Sequence, residues 1–208
     1  MASAAIHAIL AEGPMIPVVT VDDPGAGGDL AGALLAGGLR VIEVTLRTAT
    51  AMEAIKRIAD EIPDIIVGAG TVFHDHAVDR AAAAGARFAV SPGLDPALVA
   101  RADLLDFAYL PGVQTAGETM IARRLGLTAL KFFPALSGGG VDHLKQLRPV
   151  FPDVVFCPTG GLTFDNAGAF LALDNVVCVG GSFAAPGAAV RAGDWPNITT
   201  LAKRAAAL

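Results

Sequence analysis

A chain of 208 residues with a formal net charge of −5 can bury one sizeable core, and no linker divides it, which predicts a single domain over residues 1–208. Its basic residues cluster nowhere beyond Arg123-Arg124, which argues against a nucleic-acid or anionic-membrane surface and for a small-molecule partner. Glycine or charge interrupts every long apolar stretch before it could span a bilayer.

The first segment, MASAAIHAILAEG, has no basic n-region and carries Glu12 where a secretory leader would be apolar or small, so the expected location is the cytoplasm. Short β-like apolar runs then recur at 15–20, 40–45, 65–70, 87–91, 107–111, 128–133, 154–159 and 176–181. Ala/Leu-rich stretches with helical spacing lie between them, as at 48–62, 76–86 and 117–126. Eight such units predict an α/β fold of the (β/α)8 TIM-barrel type, in which the active site sits at the C-terminal ends of the strands. A doubly wound open sheet is the alternative, although no GxGxxG follows the first run and the glycines at 25–28 read as a loop entering a helix.

Side chains alternate along a strand, so in RVIEVTLR (40–47) Val41, Glu43, Thr45 and Arg47 share one face, with Ile42, Val44 and Leu46 on the helix-packed face. By the same parity Ala129, Lys131 and Phe133 point inward from the sixth run. Lys131 is the one cation in TALKFFP (128–134), an apolar and aromatic setting that disfavours an ammonium ion and suits a nucleophilic amine. Lys56, Lys145 and Lys203 lie in charged, helix-like segments and read as surface groups. A carboxylate such as Glu43 beside that amine can take and return protons, a chemistry that needs no metal. The competing reading is an ion pair that only orients the core. Arg47 has the fork geometry to hold a substrate carboxylate, and Thr71 after the third run could add a hydroxyl.

The last two runs end in TGG (159–161) and GGS (180–182), where barrels usually bind phosphate and where glycine lets backbone N–H groups approach an anion. His74 and His76 flank Asp75, but no third metal ligand has suitable spacing, so Asp75 reads as a helix N-cap between exposed histidines. His7 and His143 are expected at the surface, and Trp195 at the start of the C-terminal helix. Cys157 and Cys178 fall in strand-like runs and are expected as buried free thiols.

In its segments AGGLRVIEVTLRT (36–48), VGAGTV (67–72), FAVSPGL (88–94), LKFFPA (130–135), FCPTGG (156–161) and VGGS (179–182), the chain closely resembles the 2-keto-3-deoxy-6-phosphogluconate aldolases, some of which also act on 4-hydroxy-2-oxoglutarate. The resemblance implies a class I aldolase on a (β/α)8 barrel, without a cofactor and usually trimeric. It implies Lys131 as the Schiff-base lysine, Glu43 as general acid/base, and Arg47 and Thr71 as partners of the pyruvate carboxylate. Pro92 and Phe133 would line the pocket, and Gly160, Gly161, Gly181 and Ser182 would bind the phosphate of the aldehyde half. Threonine at 159 resembles the gluconate-type choice at a position that discriminates C4 epimers. One departure is that many relatives carry an acidic residue after FFPA, where this chain has Leu136, Ser137 and three glycines. A galactonate-type epimer, 4-hydroxy-2-oxoglutarate, a metal-dependent lyase and a non-catalytic sugar-phosphate-binding barrel remain as alternatives.

Overall fold

The computed structural model describes residues 2–208, with side chains from Ala4 onward. The architecture is α/β, with short parallel strands curling into a sheet and helices between them. Strands β1 (Met15–Val19), β2 (Val41–Thr45), β3 (Ile66–Gly70), β4 (Phe88–Val90) and β5 (Ala108–Leu110) lie side by side in chain order. Strand β9 (Val179–Gly181) pairs with the free side of β1. A separate three-stranded sheet holds β6 (Gly112–Val113), β7 (Ala129–Phe132) and β8 (Val155–Pro158), so the described strands form a curled half-barrel and not the closed eight-stranded ladder expected of a (β/α)8 barrel. This sequential order does not contain the reversal that a doubly wound sheet requires.

Among the described residues nine strands stand where eight apolar runs were expected, because a two-residue strand, β6, follows the fifth run beyond Pro111. Proline has no N–H to give to a ladder, and across Pro111 the pairing changes partner, from β4 for β5 to β7 for β6. The eighth run is also trimmed, to Val179–Gly181. Isolated bridges Phe156–Val176 and Thr159–Gly180 join β8 to the segment that ends in β9.

The two faces of the sheet follow the expected parity. Ile42, Val44, Leu130 and Phe132 belong to the core between sheet and helices. Ile16, Val41, Phe88, Val90, Ala108, Leu110, Ala129 and Cys157 form a second core on the concave face. Helix α1 (Ala2–Leu10) closes that core where the strands begin, since Ile6, Ile9 and Leu10 share one helix face and enter it. Burying each of these side chains is worth about 1.5–3 kcal/mol, which holds the helix across this end and leaves the C-terminal strand ends for a cleft. His7 therefore departs from its expected surface position: it is half-buried and its Nε2 lies 2.9 Å from Thr128 Oγ1. His143 is likewise half-buried, with its ring 5.4 Å from that of Phe132.

The three helical stretches appear as α3 (Ala51–Glu61), α4 (Asp75–Ala83) and α6 (Ala116–Arg124). Asp75 is the first residue of α4, not its N-cap, a position held by His74. Its carboxylate instead accepts from the N–H of His76 at 2.7 Å, and the two exposed histidine rings stack. Trp195 begins α10 (Trp195–Ala206), whose cap Asp194 accepts from the N–H of Asn197. No helix among the described residues is long and apolar enough to cross a membrane.

Candidate active site

Lys131 on β7 and Glu43 on β2 come from different sheets, yet both project onto the concave face and meet there. The Lys131 Nζ lies 3.3 Å from Glu43 Oε1 and 3.5 Å from Oε2. The side chains are only 7% and 5% exposed, so the amine and carboxylate face each other almost without water. Removing one partner of such a pair strands the other in a poorly solvated place, which costs about 3–5 kcal/mol. The Phe133 ring centroid lies 5.4 Å from Nζ and supplies a second, weaker attraction to a cation.

Two glycines make the arrangement possible by having no side chain. At Gly70 a Cβ would lie 2.1 Å from Glu43 Oε1, so the carboxylate occupies the space above that residue. At Gly180 a Cβ would lie 2.3 Å from Thr159 Oγ1, and the buried threonine hydroxyl fills that space. The sequence marks Gly180 only as part of the GGS turn and gives no sign of either close approach, because the need for the space arises from the neighbouring strand.

A cleft of about 440 Å³ opens one layer above the pair, at the C-terminal strand ends. Thr45, Phe133 and Thr159 line it, each two residues beyond Glu43, Lys131 or the ladder partner of Lys131, Cys157. Arg47, Gly160, Gly161, Gly181 and Ser182 complete the part of the lining expected from the sequence. Gly160 and Gly161 hold φ of +103° and +78°, a left-handed turn that would strain any other residue. Thr45, which alternation places on the inward face, donates its hydroxyl to the Val19 carbonyl and lies 2.9 Å from Thr20 Oγ1. Among the described residues no buried side-chain nitrogen or oxygen lacks a hydrogen-bond partner.

Two expected site residues stand outside this lining. Thr71 follows Gly70 with φ of +63°, an outlier for a β-branched residue. It borders a neighbouring cavity of about 410 Å³ with Leu46, Met52 and Phe73. Pro92 lies with its carbonyl against Gly112, where a Cβ would approach it to 2.2 Å, and Gly112 is the ladder neighbour of Lys131. Both residues thus flank groups that touch or pair with the central pair.

Cys157 and Cys178 are free and buried. The neighbouring Cys157 thiol, with burial added, holds the Cys178 thiol above the usual range, which suits an inert core pair. Lys56 pairs with Asp60 at 2.6 Å on the exposed face of α3, an ordinary surface lysine as expected. Among the described residues no three His, Cys, Asp or Glu side chains converge as a metal-binding group.

Residues 6–201 match the family described as "Aldolase: KDPG and KHG aldolase". The 2-dehydro-3-deoxy-phosphogluconate aldolase of Pseudoalteromonas atlantica is 47% identical over 199 residues, covering 96% of this chain and 93% of the relative. The crystal structure of a Legionella pneumophila KDPG aldolase, with pyruvate captured as a covalent carbinolamine intermediate, superposes with a TM-score of 0.94 at 41% identity, covering 96% of this chain and 97% of that one. The Zymomonas mobilis enzyme, solved with 3-phosphoglycerate, has a TM-score of 0.93 at 44% identity, covering 99% and 96%.

Proposed function

Because the chain belongs to the KDPG and KHG aldolase family, we propose that it is a carbon–carbon lyase that reversibly cleaves 2-keto-3-deoxy-6-phosphogluconate to pyruvate and glyceraldehyde 3-phosphate. The observation that carries the mechanism is the water-poor contact of Lys131 Nζ with Glu43 at 3.3 Å, directly beneath the cleft. A proton passed from the ammonium to Glu43 frees the amine to attack the C2 ketone. Glu43 then protonates the departing carbinolamine hydroxyl, which leaves as water and creates an iminium.

The iminium is an electron sink. When the C4 hydroxyl loses its proton to the Glu43 carboxylate, the C3–C4 bond breaks, its electron pair forms an enamine, and the aldehyde departs. Protonation of the enamine at C3 and addition of water release pyruvate and restore the amine. Arg47 suits the pyruvate carboxylate, and Thr71 lies after the strand whose Gly70 underlies Glu43. The turn at Gly160 and Gly161, with Gly181 and Ser182 opposite, suits the phosphate, while Thr159 and Phe133 line the space between and Pro92 flanks it.

We read the two sheets as one domain and one (β/α)8 barrel. The Phe156–Val176 and Thr159–Gly180 bridges support closure at one seam, and chain continuity through Pro111 supports it at the other. The same reading makes the protein a cytoplasmic homotrimer that works without a cofactor.

Borohydride reduction in the presence of saturating pyruvate tests the chemistry. Peptide mass spectrometry should locate the reduced adduct on Lys131. A folded protein that yields no adduct would overturn the Schiff-base mechanism in favour of a metal-dependent lyase or a sugar-phosphate sensor.

A further inference from the structure

We propose that Arg191 is a specificity-determining residue of the cleft, the cation that recognises the phosphate end of the substrate and favours phosphorylated over unphosphorylated aldehydes. The inference rests on the aldolase reading above and adds to it a residue outside the glycine-rich turns.

Arg191 lies in the last turn of α9 (Gly187–Ala192), a helix that sequence periodicity did not reveal. Residues 187 and 191 are four apart and share a helix face, and side chains on a helix lean toward its N-terminus. Gly187 has no side chain to obstruct this path, and a Cβ there would lie 3.2 Å from Arg191 Nη1. The guanidinium therefore lies back over the start of α9, beside the segment that leaves β9, and borders the same cleft as Gly181 and Ser182.

Charge singles it out. Among the described residues, the charged side chains that line this cleft are Arg47 and Arg191 alone. The protein carries −5 overall, yet this cleft presents two cations and no carboxylate. A substrate with a carboxylate at one end and a phosphate at the other matches that pattern. Backbone N–H groups offer only partial charges to a phosphate, whereas a guanidinium offers a full charge and a planar fork that fits two of its oxygens.

The guanidinium is also uncommitted. It borders a second cavity of about 570 Å³ whose wall includes Asp22, Asp23 and Asp29. No carboxylate among the described residues lies within 4.0 Å of it, in contrast to Arg40, Arg57, Arg101 and Arg123, which all have ion-pair partners.

The test uses the condensation direction at saturating pyruvate, with glyceraldehyde 3-phosphate and glyceraldehyde as alternative acceptors for wild type, Arg191→Ala and Arg191→Lys. In Arg191→Ala the ratio of kcat/KM for the phosphorylated acceptor to that for the unphosphorylated one should fall by about 10- to 100-fold, the range for a charge-assisted hydrogen bond. The loss should appear mainly as a higher KM for glyceraldehyde 3-phosphate, and Arg191→Lys should recover part of it. An unchanged ratio, or equal losses with both acceptors, would overturn the assignment.

Failure of the aldolase reading is separable. Borohydride trapping with pyruvate reports on the wild type independently of Arg191, and calorimetric binding of inorganic phosphate reports on Arg191 independently of turnover. Phosphate affinity at least about 10-fold weaker in Arg191→Ala supports the assignment even without turnover, and unchanged affinity refutes it.

Discussion

Glu43 is buried against an amine, over a glycine, and below a cleft, so its substitution probes proton transfer more than packing. Glutamine keeps the shape and can still accept a hydrogen bond from Lys131. Glu43→Gln should slow turnover by about 100- to 10,000-fold, the usual range for a general acid/base, while pyruvate binding changes little. Steady-state kinetics beside equilibrium pyruvate binding would check this, and an unchanged rate would remove Glu43 from its role. Both members of this pair were legible in the sequence, Lys131 because it interrupts an apolar strand and Glu43 because it shares the inward face of its own. The space that Gly70 and Gly180 leave for Glu43 and Thr159 was not, nor was the approach of Arg191 to the cleft, since each depends on an element that chain order does not place beside it.

At the scale of elements, β4 and β5 are joined beyond their ladder by the Tyr109 hydroxyl, 2.5 Å from Ser91 Oγ, which in turn donates to the Gly93 carbonyl. Burial pushes the Tyr109 phenol up to about 12, against the lowering effect of the Ser91 hydrogen bond and with a smaller push from Asp95. In the unfolded chain a phenol ionises near ~10. Between these values the unfolded state holds fewer protons than the folded one, so this contribution is complete below pH ~10 and is lost as pH rises toward ~12. Its upper limit is about 3 kcal/mol. Urea midpoints measured between pH ~9 and ~12 should fall more steeply for wild type than for Tyr109→Phe, and parallel profiles would place the alkaline instability elsewhere. The elements themselves were mostly legible from periodicity. The exceptions have local causes: Pro111 stands between β5 and β6, and α9 is a six-residue helix too short to show a pattern.

On the scale of the molecule, Phe73, Leu104, Met120, Ile121 and Val150 leave large apolar side chains in solvent. Such surface suits association, and the trimer implied by the family resemblance should give a sedimentation mass three times the 21.0 kDa of the chain. A monomer mass at micromolar concentration would withdraw the trimer from the reading.

The sequence by itself determined the alternation of strands and helices, the inward faces of the strands, and the residue types for an amine–carboxylate reaction beside two glycine-rich turns. These are local properties, set by side-chain periodicity and by the conformations glycine and proline allow. Only the tertiary structure decided that α1 closes one end of the concave core, that Lys131 and Glu43 meet across 88 positions of chain, and that Arg191 reaches the cleft holding Arg47. The physical reason is that curling a sheet brings distant strands together, and whether their side chains meet depends on the space their neighbours leave empty.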